Sequence, residues 1–178
     1  PLDANLFGTL LADLVSVANE AKWDEKTSRF TAEQQKRIGE LILESTKMEA
    51  DAEMKRNALL QLVRQKGLHM LPWKAECHQF RGRVMLLRSI GDHDWPDLSD
   101  DGLLTNLHRW LDPFLDPINH ISGFKKLDLL KILRSLLTYK QLGQLEELAP
   151  ERLSVPSGSN IKIDYRESPP VLAVKLQE

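Results

Sequence analysis

Cysteine is almost absent from this chain, and long apolar runs are absent altogether. Cys77 stands alone among 178 residues, which excludes a disulfide within the chain and suits a reducing cytosol. Apolar runs such as the one from Leu10 to Ala12 are far shorter than a membrane span. No charged segment followed by an apolar segment opens the sequence, so we expect no secretion signal. Composition therefore predicts a cytoplasmic protein with no membrane contact.

The motifs of nucleotide hydrolysis and of metal binding are missing as well. A loop of the G-x-x-x-x-G-K-(S/T) type surrounds phosphates with backbone N–H groups and a lysine. None of the nine glycines is followed by Lys-Ser or Lys-Thr, and no acidic box that would hold Mg²⁺ is present. The five histidines show no pair with metal-ligand spacing. We therefore expect no catalytic, cofactor-binding or metal-binding residue in this chain.

The net charge of −2 is small, but the charges are unevenly distributed. Between residues 55 and 90, eight basic residues stand against a single acid, Glu76. Between residues 91 and 117, seven aspartates stand against Arg109. One interpretation is that the two segments pack together and neutralise each other. The other is a basic face that is open to phosphate groups.

The second interpretation supplies the candidate functional residues. Lys74, Arg81 and Arg88 recur at helical spacing beside an apolar stripe, so they can share one flank of a helix. Such a flank would bind the nucleic-acid backbone with little reading of base sequence. The full set of nucleic-acid contact candidates is Arg64, Lys66, Lys74, Arg81, Arg83 and Arg88.

The first 48 residues are predicted to form a short helix followed by a β-hairpin. Residues 5–11 carry a brief helical pattern, and residues 14–23 alternate with a period of two. A turn at residues 24–27 leads to a second strand that we expect to run from Arg29 towards Leu43, with a bend or bulge at Gly39. Residues 33–37 have poor strand propensity and are also compatible with a helix. This segment is either part of the same fold or the end of a preceding domain.

The middle of the chain is predicted to be helical. One helix is expected over residues 50–66 and ends at Gly67, and a second begins near Trp73. A third is expected to begin at Ser99, whose hydroxyl can cap it. A fourth helix is predicted over residues 126–139, and a shorter one, interrupted by Gly143, is predicted to end before Pro150.

Strands at both ends with helices between them predict an α+β fold. We expect a central bundle of four to five helices and one small antiparallel sheet built from the N-terminal and C-terminal hairpins. The predicted domains are residues 1–48 and residues 49–178. In the second domain, residues 50–149 are helical and residues 150–178 form the terminal hairpin.

The last 24 residues, VPSGSNIKIDYRESPPVLAVKLQE, carry the most specific pattern. Ile161, Ile163 and Tyr165 alternate with charged residues, and an apolar run from Val171 follows a turn, as expected for a hairpin. Three further phrases occur in order before it: GLHMLPW, WPDLSDDGLL and WLDPFL. Together these segments resemble the C-terminal end of the HrpB family of bacterial ATP-dependent RNA helicases.

The resemblance implies a longer enzyme that uses ATP, Mg²⁺ and RNA and whose motor lies upstream. Because the motor motifs are missing here, we expect this chain to be a non-catalytic accessory domain of an ATP-dependent RNA helicase. It would contact the upstream helicase core and serve as a scaffold or protein-interaction surface that modulates the motor. The alternative is an auxiliary RNA-binding surface that contacts phosphates through the basic helix flank.

Overall fold

Strands come first and last among the described elements, and helices lie between them. The computed structural model describes residues 14–24, 29–91, 94–155, 158–167 and 169–172. The predicted helix over residues 5–11 lies outside the described residues, as does all of the predicted turn at residues 24–27 except Asp24. The α+β class is confirmed by the order of the elements. No helix in the described part of the chain has both the length and the apolarity needed to cross a bilayer.

The N-terminal sheet has three antiparallel strands in the order β1-β2-β3. The strands are β1 (Ser16–Asp24), β2 (Arg29–Ile38) and β3 (Leu41–Met48). The predicted first hairpin is confirmed, but the expected continuation of its second strand to Leu43 is wrong. The chain reverses at Gly39, whose φ of 58° suits a tight turn, and Ile38 then pairs with Leu41. The bulge expected at Gly39 is found instead between Lys36 and Arg37, where the register of the β2–β3 pair shifts.

Polar side chains explain why residues of poor strand propensity form β2. On one face of the sheet, the Arg37 guanidinium donates to Glu20 at 2.8 Å and to Gln35 at 2.8 Å. The Ser45 hydroxyl on β3 donates to Glu33 at 2.6 Å. The contacts of Arg37 with Glu20 and of Ser45 with Glu33 join neighbouring strands, stabilise the pairing and outweigh the intrinsic preference for a helix at residues 33–37.

The helical part consists of six α-helices joined by turns, all within the described residues. They are α1 (Ala52–Lys66), α2 (Ala75–Ile90), α3 (Asp100–Thr105), α4 (Leu107–Trp110), α5 (Leu129–Arg134) and α6 (Tyr139–Leu148). Short 3-10 segments occupy Leu68–Met70, Asp112–Phe114 and Ile121–Lys126. The central helical region predicted from the sequence is therefore present.

Capping side chains set several of the helix starts. The Asp51 carboxylate accepts from Met54 N–H at 2.7 Å, and the Ser99 hydroxyl accepts from Gly102 N–H at 3.0 Å. Gly67, at φ 94°, ends α1 as predicted. Leu98 and Leu103 are both buried around the Ser99 cap, which fits the expected hydrophobic staple.

The apolar stripe of α2 forms the centre of the core. Cys77, Phe80, Val84 and Leu87 are all buried, in agreement with the spacing in the sequence. Cys77 is 1% exposed, so it is a core residue and not an accessible nucleophile. This stripe packs mainly against α5 and α6.

The predicted helix over residues 126–139 is wrong in both of its boundaries. It is reduced to α5, and a new helix, α6, starts after Thr138. Thr138 and Gln141 form a reciprocal capping box, with the Gln141 amide oxygen 2.9 Å from Thr138 N. Gly143 lies inside α6 and does not interrupt it.

The C-terminal strands form a second three-stranded sheet in the order β4-β5-β6. The strands are β4 (Arg152–Ser154), β5 (Asn160–Asp164) and β6 (Val171–Leu172). The expectation of one sheet made from both terminal hairpins is therefore wrong. Each sheet is completed by strands that are close in sequence, and local pairing of this kind is entropically favoured. The predicted strand beyond residue 172 lies outside the described residues.

Candidate functional site

The basic flank predicted on α2 exists, but several of its cations contact acids of the following segment. The Arg81 guanidinium lies 2.7 Å from an Asp100 carboxylate oxygen. It also lies over the Trp73 ring, 5.6 Å from the ring centroid. On this ring the His78 imidazole stacks at 5.2 Å. The Arg81 charge is thus shared between a carboxylate and an aromatic face.

Arg88 is directed towards the loop that precedes α3. Its guanidinium donates to the Trp95 carbonyl at 2.6 Å and lies 3.9 Å from the Asp97 carboxylate. The pKa of Asp97 is lowered, chiefly because Ser99 donates to its carboxylate, and Arg88 and Arg81 contribute further attraction. Arg88 therefore holds the loop at the start of α3.

Arg56 on α1 completes the pairing between the basic and acidic segments. Its guanidinium lies 3.2 Å from Asp112 and 2.5 Å from Asp116. The two carboxylates raise the pKa of Arg56, with Asp116 making the largest contribution. The expected mutual neutralisation of residues 55–90 and 91–117 is thus observed at three arginines.

Arg83 occupies a different environment from the rest of the predicted set. Its side chain is 0% exposed. The guanidinium donates to the Ala149 carbonyl at 2.6 Å and to the Leu145 carbonyl at 3.2 Å. It also contacts Glu146 at 2.8 Å and Glu151 at 3.2 Å. The structure therefore removes Arg83 from any basic surface, since all its contacts are internal.

A second row of polar contacts lies beside Arg83 and fixes β5 against α2. The Gln79 amide donates to Asp164 at 2.7 Å, and its oxygen accepts from Tyr165 N–H at 3.0 Å. The Tyr165 hydroxyl donates to the Pro150 carbonyl at 2.8 Å, and burial raises the pKa of this phenol. A Cβ on Gly82 would lie 2.0 Å from the Tyr165 carbonyl oxygen, so helix and strand touch at this glycine.

The remaining members of the predicted set lie at the surface. Arg64, Lys66 and Lys74 have exposed side chains. Arg64 and Lys66 are in the last turn of α1, where cations complement the negative end of the helix dipole. The structure thus brings Arg81 and Arg88 to the aspartates, buries Arg83, and leaves Arg64, Lys66 and Lys74 facing solvent.

The C-terminal hairpin carries a thinner set of cations. The Arg166 side chain and its backbone N–H both donate to the Asp164 carboxylate, the backbone contact at 2.9 Å. These contacts hold the pKa of Asp164 well below its usual range. Lys162 is exposed, and Lys175 lies outside the described residues.

A groove between β1 and α1 was not anticipated from the sequence. It encloses about 430 Å³. Trp23 and Asn19 line it from β1, and Asn57, Gln61 and Gln65 line it from α1. The amide side chains of α1 recur every four residues, and this spacing was the available sequence signal. No group of three or more His, Cys, Asp or Glu side chains suited to a metal ion occurs among the described residues.

Two family models match the chain at separate places. Residues 110–178 match the model described as ATP-dependent helicase C-terminal. Residues 14–48 match the model described as ATP-dependent RNA helicase HrpB, connector region. The ATP-dependent RNA helicase HrpB of Escherichia coli K12 is 33% identical over 99% of this chain. The chain belongs to the HrpB family. Its resemblance to the C-terminal region of HrpB, inferred from the closing motif, is confirmed.

Two solved structures of HrpB have the same fold over this region. The crystal structure of the E. coli DExH-box NTPase HrpB has a TM-score of 0.76 and 30% identity over 99% of this chain. A crystal structure of the E. coli DEAH/RHA helicase HrpB has a TM-score of 0.72 and 32% identity over 90% of this chain. The chain spans only 23% of the curated HrpB relative and 22% and 21% of the two solved chains.

Proposed function

We propose that this HrpB region is a non-catalytic accessory domain that serves as a scaffold for protein contacts and modulates an upstream motor. The observation that carries the proposal is the pairing of Arg56, Arg81 and Arg88 with aspartates of residues 91–117. A phosphate would have to displace a carboxylate from each of these cations, so the basic segment offers little attraction for RNA.

The chemistry of the relatives is assigned, in this proposal, to the polypeptide that precedes the region. The relatives are named as ATP-dependent and as an NTPase. ATP and Mg²⁺ would be bound there, because this chain has no phosphate-binding loop in its sequence. The accessory region would then act in the cytoplasm through contacts with the motor or with another protein.

Removal of residues 49–178 from the full-length helicase tests this division of labour. We expect ATP hydrolysis to persist, because its catalytic groups lie upstream, while the rate of unwinding changes. ATPase and unwinding rates of the two proteins are measured side by side. Loss of ATP hydrolysis from a folded truncated enzyme would contradict the non-catalytic role, and identical rates in both assays would contradict modulation.

An auxiliary RNA-binding surface is the second candidate, favoured by the exposure of Arg64 and Lys74. It predicts weak binding of single-stranded RNA that falls steeply as salt rises. Reversal of Arg64 and Lys74 to glutamate would then reduce affinity at low salt. Reversal of the exposed Lys131 and Lys140 is the matched control, since it changes net charge equally at positions outside the predicted set. The scaffold proposal expects both pairs to behave alike.

A further inference from the structure

One end of the N-terminal sheet carries an uncovered apolar surface. Its side chains are Leu14 (59% exposed), Val17 (59%), Leu41 (65%), Ile42 (49%) and Leu43 (51%). The register places them at one end of the sheet, because Ser16 pairs with Arg37, Arg37 with Ile42, and Ile38 with Leu41; Leu41 and Ile42 project to opposite faces there. We call these five residues the apolar end of the sheet. Contiguous exposed apolar side chains of this kind usually mark a contact surface.

Val17 and Leu41 lie on the sheet face that packs against helices at its other end. Antiparallel partners share a face, so Val17, Ile38 and Leu41 project to the same side as Ala32 and Trp23. At that far end the face is covered: Ala32 is 4% exposed, and Trp23 packs against the core with α1 beside it. The face therefore has apolar side chains at both ends, with polar residues such as Gln34 and Lys36 between them, and only one of the two apolar ends is covered.

The charged groups around the apolar end have partners within the sheet. Lys36 lies 2.7 Å from Glu44, and Arg37 lies 2.8 Å from Glu20. A ligand of this surface gains little from its own charge, which disfavours a nucleic acid. The partner that fits is another apolar protein surface. It would cover this end of the sheet as α1 covers the other end.

We propose that the apolar end is the docking surface for the upstream part of the same helicase polypeptide. The matched region is C-terminal and covers 23% of the relative, so most of the relative's chain precedes it. Preceding polypeptide joins β1 beside Leu14, at this end of the sheet, and its effective concentration there is high. The proposal rests on the proposed accessory role and names the surface through which that role is exerted.

Thiol labelling tests the contact directly. Leu41→Cys is introduced into the 178-residue chain and into the full-length helicase, and the modified peptide is quantified by mass spectrometry. We expect labelling in the full-length protein to be at least about tenfold slower than in the short chain, because the upstream part must first separate from the apolar end before the reagent can reach the thiol. Lys47→Cys is the matched control, since Lys47 is exposed on the same strand but on the polar face with Glu33. Its labelling rate should be equal in the two proteins.

Three outcomes would overturn the proposal. Equal labelling of Leu41→Cys in the two proteins would show that the upstream part leaves this surface open. Slow labelling in the short chain at every concentration would place the occupant within these residues. Slowing that grows with the concentration of the short chain would make a second copy the occupant. A changed unwinding rate on deletion of residues 49–178, together with equal labelling, would leave the accessory role intact and reject only this surface.

Discussion

The two sheets are attached to the helical core by opposite means. The N-terminal sheet has long strands and is fixed at one end by apolar packing, where Trp23 and Phe30 meet with ring centroids 5.0 Å apart. The C-terminal sheet has short strands and is fixed by polar side chains of α2, chiefly Gln79 and Arg83. The apolar packing covers only one end of the N-terminal sheet and leaves the apolar end exposed. The C-terminal sheet is instead held by hydrogen bonds at its contact with α2.

The difference shows how strand length governs what a sheet needs from its surroundings. Long paired strands supply many backbone hydrogen bonds, so a small apolar contact suffices to orient them. The three-residue strand β4, paired with the five-residue strand β5, supplies few. External donors must then satisfy the carbonyls that precede and flank the short strands, and Arg83 provides them.

The largest effect is expected from removing the guanidinium that holds the C-terminal sheet. Arg83→Ala removes the guanidinium donor of the Ala149 carbonyl and one of the two donors of the Leu145 carbonyl, and it opens a cavity, so we expect a loss of about 3 kcal/mol in unfolding free energy. Urea denaturation measures this loss. Arg152→Ala, an exposed change in the same sheet, should cost less than about 0.5 kcal/mol. Equal costs for the two variants would refute the assigned role of Arg83.

The helix–strand contact at Gly82 is expected to give the next largest effect. Gly82→Ala would bring a methyl group against the Tyr165 carbonyl, which we expect to cost about 2 kcal/mol. Gly143→Ala is the matched change, because nothing lies within 4 Å of a Cβ at that helical position. It should stabilise the protein by about 0.5–1 kcal/mol. Thermal unfolding of both variants checks the opposite signs.

The apolar attachment of the N-terminal sheet is expected to be somewhat weaker than the polar one. Trp23→Ala removes the ring that contacts Phe30 and His120, and we expect a loss of about 1.5 kcal/mol. Val17→Ala, at the apolar end of the same sheet, should change stability by less than about 0.5 kcal/mol in the short chain. Chemical denaturation of the two variants compares the stability lost at Trp23 with that lost at Val17, and so measures how far along β1 the packing against the core extends.

The smallest expected effect concerns the pH dependence of the C-terminal sheet. The pKa of Asp164 is lower in the folded chain because Arg166 donates to its carboxylate. The resulting stabilisation is present above the ordinary carboxyl pKa and is lost as pH falls towards the lower folded value. Melting curves of the native chain and Asp164→Asn should differ at about pH 7, and the difference should narrow steadily as pH falls below about 4. High salt should shrink the difference because the pair is exposed. A gap that widens on acidification would contradict the assignment.

The helices and hairpins that depend on neighbouring residues could be predicted from the sequence, but the reversal at Gly39 and both boundaries of the helix predicted over residues 126–139 could not. The apolar stripe of α2 and the Ser99 cap are both local patterns, and both were confirmed. The reversal at Gly39 was read as a bulge because apolar residues continue beyond it. The start of α6 was missed although Thr138 and Gln141 have the spacing of a capping box.

The environments of the candidate basic residues could not be predicted from local sequence pattern. Arg81 and Arg83 are two residues apart on α2 and project from opposite sides of the helix, although both belong to the predicted set of nucleic-acid contacts. Their environments depend on acceptors far along the chain: Asp100 for Arg81, and residues 145–151 for Arg83. The burial of one and the pairing of the other are consequences of tertiary packing. The sequence therefore predicted the helix and its apolar face correctly, but not that Arg83 is buried beside that face.

The burial of Arg83 also limits when this part of the chain can fold during translation. Its contact with Glu151 joins residues 68 positions apart in the chain. At about 5–20 residues per second, a ribosome needs roughly 3 to 14 s to supply that partner after Arg83 has been added. During this interval the guanidinium must remain hydrated, because α6 and the residues after it have not yet packed over it. The last step of assembly thus waits for translation, and a delay in this stretch would prolong the exposure of the core.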